Sequence, residues 1–409
     1  MSNDVPVEGA PTLPYWLDGA GRLAAPLVGD VAADVVIIGA GLCGAAAAWT
    51  LVAAGVDVVW LEGRGVSEGA SGRNAGFLLQ GTAERYNRAV GVLGRERARA
   101  VHEASLANHR AMADTAARLG LACGYARRGS LQLASSPEEE TDLLESAAML
   151  RDDGFAAELR GTPGAPVLDA VYRDAGFRVG VFLPDDGELQ PAEFVRGVAR
   201  AAVARGARLY EDTPALSIEA PAAGEARVRT ATGTVSAQLA LVCTNAAAGR
   251  LVGFFADKVD AVRGQMLATG PAPQVFDCPV YADHGFDYWR QDAHGRLALG
   301  GWRNLDPAAE VGPEEVLHAG IQARMTEFVR RFPAFHGVPI THRWSGTMGF
   351  SRDGLPIVGP VPGLPGALAA VGFTGHGFGF AWSSGAALAA LVLEGHSAWA
   401  ELFTPRRFT

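Results

Sequence analysis

The chain has 409 residues, 49% of them hydrophobic, and a formal net charge of −9. That is enough apolar sequence for a large core and enough length for two or three domains. The acidic balance and the lack of any basic tract argue against a nucleic-acid partner, and Lys258 is the only lysine.

Residues 1–10 are polar and acidic, with neither a basic start nor an apolar core, so no signal peptide is expected there. No uninterrupted apolar run approaches about 18 residues, so no transmembrane helix is expected. Cys43, Cys123, Cys243 and Cys278 are far apart in sequence and lack metal-ligand spacing. Free thiols in a reducing cytosol and no bound metal are the expectation. The Pro/Gly-rich residues 1–30 are expected to run over the surface.

The first regular element is the apolar run 35–38, which leads straight into Gly39-Ala40-Gly41-Leu42-Cys43-Gly44. An alanine-rich helical pattern follows to residue 54, then a second apolar run, 56–61, that ends at Glu62. Strand, tight turn, helix, strand and acid in this order form a dinucleotide-binding unit. Gly39 allows the turn, Gly41 lets a pyrophosphate approach the backbone, and Gly44 lets the helix lie close on the strands. The helix start offers free N–H groups and partial positive charge to phosphates. Glu62 is placed to accept hydrogen bonds from ribose hydroxyls, which disfavours a 2′-phosphate.

Downstream, three- and four-residue apolar spacing predicts a helix over 86–119, a strand over 130–135 and a helix from Pro137. Pro191 opens another helix, ending at Gly206, followed by extended chain over 208–218 and a hairpin over 227–235. A buried strand is expected over 239–243, and further strands over 262–269, 286–291 and 296–300. Helices are expected over 314–332 and from about 378 to 393. Strand and helix patterns alternate without a clean boundary, so an α/β fold with interleaved domains is predicted. A Rossmann-type nucleotide-binding domain takes 1–85, 181–255 and 345–409. A smaller α+β substrate domain on a mixed sheet takes 86–180 and 256–344.

Five more segments sharpen the reading: 69–76 (Gly-Ala-Ser-Gly-Arg-Asn-Ala-Gly), 187–191 (Gly-Glu-Leu-Gln-Pro), 241–246 (Leu-Val-Cys-Thr-Asn-Ala), and the pair 353–359 and 372–378. In this order and spacing the chain resembles the FAD-dependent amine and amino-acid oxidases of the D-amino-acid-oxidase superfamily, over about residues 33–395. The resemblance implies non-covalent FAD, because the stretch 345–351 has no cysteine for a flavin linkage. It extends the expected cofactor contacts to Gly63, Arg64, Ala70, Ser71, Arg73, Asn74, Ala75 and Gly76. In the middle of the chain it adds Ala215, Leu216, Thr244, Asn245 and Ala246. Near the C-terminus it adds Gly346, Met348, Gly375, His376, Gly377, Phe378 and Gly379. The glycine turn before the last helix would present N–H groups to the flavin, and a helix N-terminus there favours negative charge.

By the same resemblance, the reaction is oxidation of the C–N bond of a primary or secondary amine by hydride transfer to flavin N5. The protein orients a neutral amine and excludes water. The partners implied are a small-molecule amine and oxygen or another electron acceptor. Catalytic candidates are Tyr288, His376 and Arg73. Substrate candidates are Tyr288, Arg290, Trp302 and Met348, with Arg263 as a cap or an ion-pair partner. Met348, Gly375 and Gly379 stand where relatives carry cations, which makes simple amino acids poor candidates because a buried carboxylate would lack its partner. Ala298 stands where relatives carry an oxygen-activating lysine. A flavin-bound non-redox sensor or assembly subunit remains an alternative, as does a tailoring oxidase acting within a larger metabolite.

Overall fold

The computed structural model describes residues 12–409. Strand β1 (Val35–Ile38) enters helix α1 (Leu42–Ala53), which returns to β2 (Val58–Leu61). Helices α2 (Tyr86–Leu93) and α3 (Arg95–Leu119) follow, then β3 (Ser130–Leu133), α4 (Pro137–Asp152), β4 (Glu158–Arg160) and β5 (Gly180–Leu183). Next come α5 (Pro191–Ala204), β6 (Arg208–Tyr210), β7 (Leu239–Val242), β8 (Val259–Pro271), β9 (Val280–Ala282), β10 (Asp287–Gln291) and β11 (Arg296–Gly301). Helix α6 (Ala319–Val329), β12 (Ile340–Ser351), β13 (Ile357–Pro360), β14 (Ala367–Val371) and α7 (Gly377–Glu394) complete the frame.

Two large sheets organise these elements. The first has six strands in the order β13-β14-β7-β1-β2-β6. All its pairings are parallel except the β13–β14 edge. Both β1 and β2 are buried along their whole length, as continuous Val/Ile/Leu runs in a parallel sheet require. Helix α1 packs against both α5 and α7. A Cβ on Gly385 would stand 2.1 Å from the Cys43 carbonyl oxygen, so α7 can approach α1 this closely only without a side chain there. The second sheet has eight strands in the order β12-β8-β11-β10-β9-β3-β5-β4, antiparallel except at β9–β3. An aromatic core around Trp289, Phe276, Phe328 and Phe332 packs between this sheet and α6. The chain is α/β with the two sheets interleaved. Strands β5 and β12, which straddle residues 181 and 345, both lie in the eight-stranded sheet.

Several elements differ from expectation for identifiable reasons. The helix expected over 86–119 is two, because Gly94 adopts φ 78° between them. The helix expected from 314 begins at Ala319, where the His318 ring accepts a hydrogen bond from the Ile321 N–H at 3.2 Å and caps the first turn. Strand β12 was not foreseen, since Gly346 and Gly349 interrupt its pattern. A Cβ at Gly346 would lie 2.8 Å from Arg73 Cβ, and one at Gly349 would lie 2.4 Å from Asn245 Oδ1. Glycines inside this strand mark close approach of a neighbouring segment. In the lead-in, Trp16 and Leu17 are buried rather than surface-lying, and Trp16 Nε1 donates to the Asn74 carbonyl at 2.7 Å. Residues 1–11 fall outside the described residues. Among the latter, α7 is the one helix long and apolar enough to cross a membrane, and it packs against α1 and α3.

Asp287 opens β10 with its Oδ1 buried and unpartnered, and burial, then Asp283, pushes its carboxyl up to about 8. A folded-state value above the ordinary one near 3.9 gives stability that is full below that pH and is lost as pH rises through the folded value. Asp287→Asn therefore resembles the parent at acid pH and gains on it as pH rises. The difference in melting temperature should widen between about pH 5 and 9; a constant offset would contradict this account.

Candidate functional site

A cavity of about 760 Å³ runs from the β1–α1 turn, past Glu62 and Thr244, to the start of α7 and the phenol rings of Tyr281 and Tyr288. Its first end is a glycine cradle. Gly39 has φ 104°, and a Cβ there would stand 2.7 Å from the Cys243 carbonyl oxygen. Gly41 is the N-cap of α1 and gives the first turn no side chain; Ser71 Oγ accepts from Leu42 N–H at 2.9 Å instead. Gly44 does not line the cavity. Its missing Cβ would be 1.9 Å from the Gly39 carbonyl oxygen, so it sets how closely α1 sits on the turn. Glu62 accepts from the Ala40 N–H at 2.6 Å and the Arg64 N–H at 2.9 Å, one on each oxygen, while burial raises its carboxyl pKa. Each oxygen keeps accepting capacity for a hydroxyl.

Cys43 and Cys243, far apart in sequence, meet here. They are both buried in this wall with sulfurs 3.5 Å apart, because the β1–α1 turn and the end of β7 meet at the same crevice of the sheet. Their contact is the first cause, ahead of burial, of the raised Cys43 pKa, which keeps that thiol protonated.

The segment 69–76 forms the cavity's side. Asn74 is absorbed by its own turn, its amide donating to Ala70 and Ser71 carbonyls at 2.8 and 2.9 Å and accepting from Gly76 N–H at 2.7 Å. Arg73 reaches the cavity wall, but its guanidinium donates to the Glu68 and Ser345 carbonyls at 2.8 and 2.9 Å and pairs with Glu315 at 3.0 Å. Burial lowers its pKa and Glu315 opposes that effect. These contacts make Arg73 a positioning residue, a correction to its expected catalytic place. Glu315, which sequence reasoning missed, also pairs with Arg64.

At the far end, Tyr288 on β10 faces Tyr281 on β9 in register, with rings stacked at 5.5 Å. Among the described residues neither hydroxyl has a hydrogen-bond partner, and burial pushes Tyr288 up to about 12, so the phenol stays protonated. Met348 also lines this end, and Gly375, with φ 77°, opens the wall beside it. His376 caps α7, and burial, then Arg303, brings its ring down to about 4, so it is neutral at neutral pH. Gly379 lines the cavity as well, and its missing Cβ would be 3.0 Å from the Leu79 carbonyl oxygen.

The sequence matches the family described as FAD dependent oxidoreductase over residues 34–391. This chain belongs to that family. A probable oxidoreductase, OrdL, of Rhizobium meliloti (strain 1021) is 30% identical over 380 residues, covering 89% of this chain and 84% of that protein. The gamma-glutamylputrescine oxidoreductase of Escherichia coli (strain K12) is 27% identical over 374 residues, covering 85% and 80%. Among solved structures, glycine oxidase from Geobacillus kaustophilus superposes with a TM-score of 0.75 at 24% identity, covering 90% of this chain and 96% of that one.

The residues of this FAD-dependent oxidoreductase fit the cofactor. Thr244 Oγ1 and His376 Nδ1 are buried in the cavity wall without a protein partner, and such atoms call for one. With the glycine cradle and Glu62 they form a donor and acceptor set spread along one continuous cavity. Gly63, Arg64, Ala70, Ser71, Ala75, Ala215, Thr244, Asn245, Ala246 and Gly346 also line it, as do Gly377 and Phe378.

Besides Gly44, five expected residues lie outside the cavity. Leu216 is 59% exposed, its backbone turned away to bond Arg229. Gly76 packs on the Leu189 carbonyl, where a Cβ would stand at 2.2 Å. Arg290 is buried and donates to the Ala75 and Leu189 carbonyls at 2.6 and 2.7 Å, so it buttresses the 69–76 segment from behind. Trp302 sits in the aromatic core with its ring 4.9 Å from Phe328. Arg263 pairs with Glu310 at 3.9 Å and donates to the Glu314 carbonyl at 3.1 Å, outside the cavity. Sequence reasoning also missed Tyr281 and Arg303. Tyr281 was legible as one of two tyrosines on successive strands; Arg303 had no signal in the sequence.

Proposed function

We propose that this FAD-dependent oxidoreductase oxidises the C–N bond of a primary or secondary amine to an imine, which water then hydrolyses. The observation that carries the reading is one cavity joining the dinucleotide cradle to an end walled by protonated phenols, Met348 and a neutral histidine. The chemistry supplied by bound FAD is acceptance of a hydride at N5. The chain's part is to hold the amine neutral, aim its carbon and exclude water. Nitrogen gives up a proton as the C=N bond forms, and oxygen or another acceptor later removes the electrons. Amine-oxidising relatives such as the gamma-glutamylputrescine oxidoreductase support the same class of donor.

Non-covalent FAD is part of the proposal, since 345–351 offers no cysteine. A cytosolic location is supported by four free thiols. We also infer a division into a cofactor unit around the six-stranded sheet and a substrate unit around the eight-stranded sheet. An anaerobic panel of amines, read by loss of the oxidised flavin spectrum, tests the reaction. Bleaching by at least one amine on a catalytic time scale is expected, and acid precipitation should release FAD into the supernatant. A flavin that no amine reduces would favour a non-redox binding protein.

A further inference from the structure

Arg303 is a guanidinium at the substrate end of the cavity that, among the described residues, has no acid to pair with. Its Cζ lies 4.6 Å from the Phe286 ring centroid and 5.0 Å from that of Phe350. Among the described residues it forms no ion pair or hydrogen bond, although it lines the cavity. Burial lowers its pKa, and Tyr288, Tyr281 and, last, Glu84, whose side chain is 66% exposed, oppose that effect without a hydrogen bond or ion pair to it. The contrast with the other inward arginines is sharp. Arg64 and Arg73 share Glu315, and Arg85 pairs with Glu139 and Asp142. Arg250, exposed beside Ala247, belongs to the cofactor end.

The chain takes trouble to place Arg303. The preceding Trp302 adopts φ 58°, a conformation costly for a large side chain. Burial of its indole against Phe328 and a bond from its backbone N–H to the Phe286 carbonyl at 2.8 Å hold it there. Backbone strain stored one residue from an unpaired cation in a cavity points to use of that cation. Its place is informative too. A Cβ on Gly375 would lie 3.7 Å from both Phe350 Cζ and Met348 Sδ. Arg303 packs on that same Phe350, so it enters, from the loop after β11, the region left without charge by Met348 and Gly375.

We infer that Arg303 is the anion anchor of this cavity and that the amine oxidised here carries a carboxylate. The inference rests on the amine-oxidation reading for the word amine; the anchor stands on the geometry alone. Two aromatic rings against the guanidinium leave its N–H edge for a ligand, and a planar carboxylate matches that edge with two parallel hydrogen bonds. The expectation drawn from Met348, Gly375 and Gly379 is thereby revised: the cation is present, but on another element.

The test titrates the holoenzyme with benzoate, its neutral partner benzamide and inorganic phosphate, following the perturbation of the flavin spectrum. Benzoate should bind, and Arg303→Met should weaken it at least about tenfold, with Arg303→Lys between the two and benzamide unaffected. Arg303→Gln, with flavin content checked first, serves if the Met variant does not fold. Equal benzoate affinity in parent and variants overturns the proposal, as does tighter binding of phosphate than of benzoate. If neutral amines bleach the flavin and carboxylates never bind, the anchor fails while the oxidase reading stands. If carboxylates bind through Arg303 and no amine bleaches the flavin, the anchor stands and the oxidase reading fails.

Discussion

Gly44→Ala is expected to give a colourless, destabilised protein. The added Cβ would stand 1.9 Å from the Gly39 carbonyl oxygen and 3.2 Å from Trp60 Nε1. Neither neighbour yields easily. The carbonyl belongs to the turn that forms the cradle, and Trp60 Nε1 donates to that same oxygen at 3.0 Å. Helix α1 must therefore back away from the sheet, and its N-terminus leaves the phosphate site. Forced overpacking costs about 1–3 kcal/mol in a core, and a rigid backbone contact belongs at the upper end. If that cost falls on the cofactor-competent state, FAD affinity drops roughly 5- to 150-fold.

Gly41→Val is the informative comparison. Its Cβ meets Ser71 Oγ at 2.8 Å, a side chain that can rotate away at the loss of its bond to Leu42 N–H. That variant should lose flavin, because its side chain occupies the pyrophosphate's place, yet keep most of the stability of the apo parent. Flavin content and apo melting temperature, measured for both, separate the two roles. Equal melting temperatures for the two apo variants would refute the distinction.

The cradle was legible because two periodicities and three glycines coincide within 30 residues, and each constraint is local. Where the outcome depended on contact between distant segments, the sequence was silent. Cys43 and Cys243 meet across the crevice only because β7 pairs beside β1. Strand β12 hides behind Gly346 and Gly349, whose meaning appears only once Arg73 and Asn245 are seen against them. Arg290 on an alternating strand looked like a cavity or solvent-facing residue. Its side chain instead crosses behind β10 to the Ala75 and Leu189 carbonyls, which no pattern within the strand announces. Arg303 is the plainest case, because a left-handed Trp302 decides its direction and tryptophan carries no propensity for that conformation.

Reoxidation of the reduced enzyme by oxygen is expected to be slow, at least about a hundredfold slower than by an artificial dye at equal concentration. Oxygen acquires negative charge as it takes the first electron, so a fixed cation beside the flavin speeds the step. The position aligned with the family's lysine is Ala298, buried on β11 beside Met266 and Trp344. The sole lysine, Lys258, pairs with Asp257 at 2.8 Å and does not line the cavity. The remaining charges are compromised. Arg73 is held by Glu315, which it shares with Arg64, and by the Glu68 and Ser345 carbonyls, so its N–H groups are already engaged, and His376, brought down to about 4, is uncharged at neutral pH. That leaves Arg303, whose charge a bound carboxylate would cancel. Stopped-flow mixing of reduced enzyme with oxygen decides the matter. Lys258→Met should change nothing, and benzoate or Arg303→Met should slow whatever oxygen reaction remains. A fast second-order reaction with oxygen, undiminished by either variant and by benzoate, would show that a group other than these supplies the charge, and the preference for a different electron acceptor would fall with it.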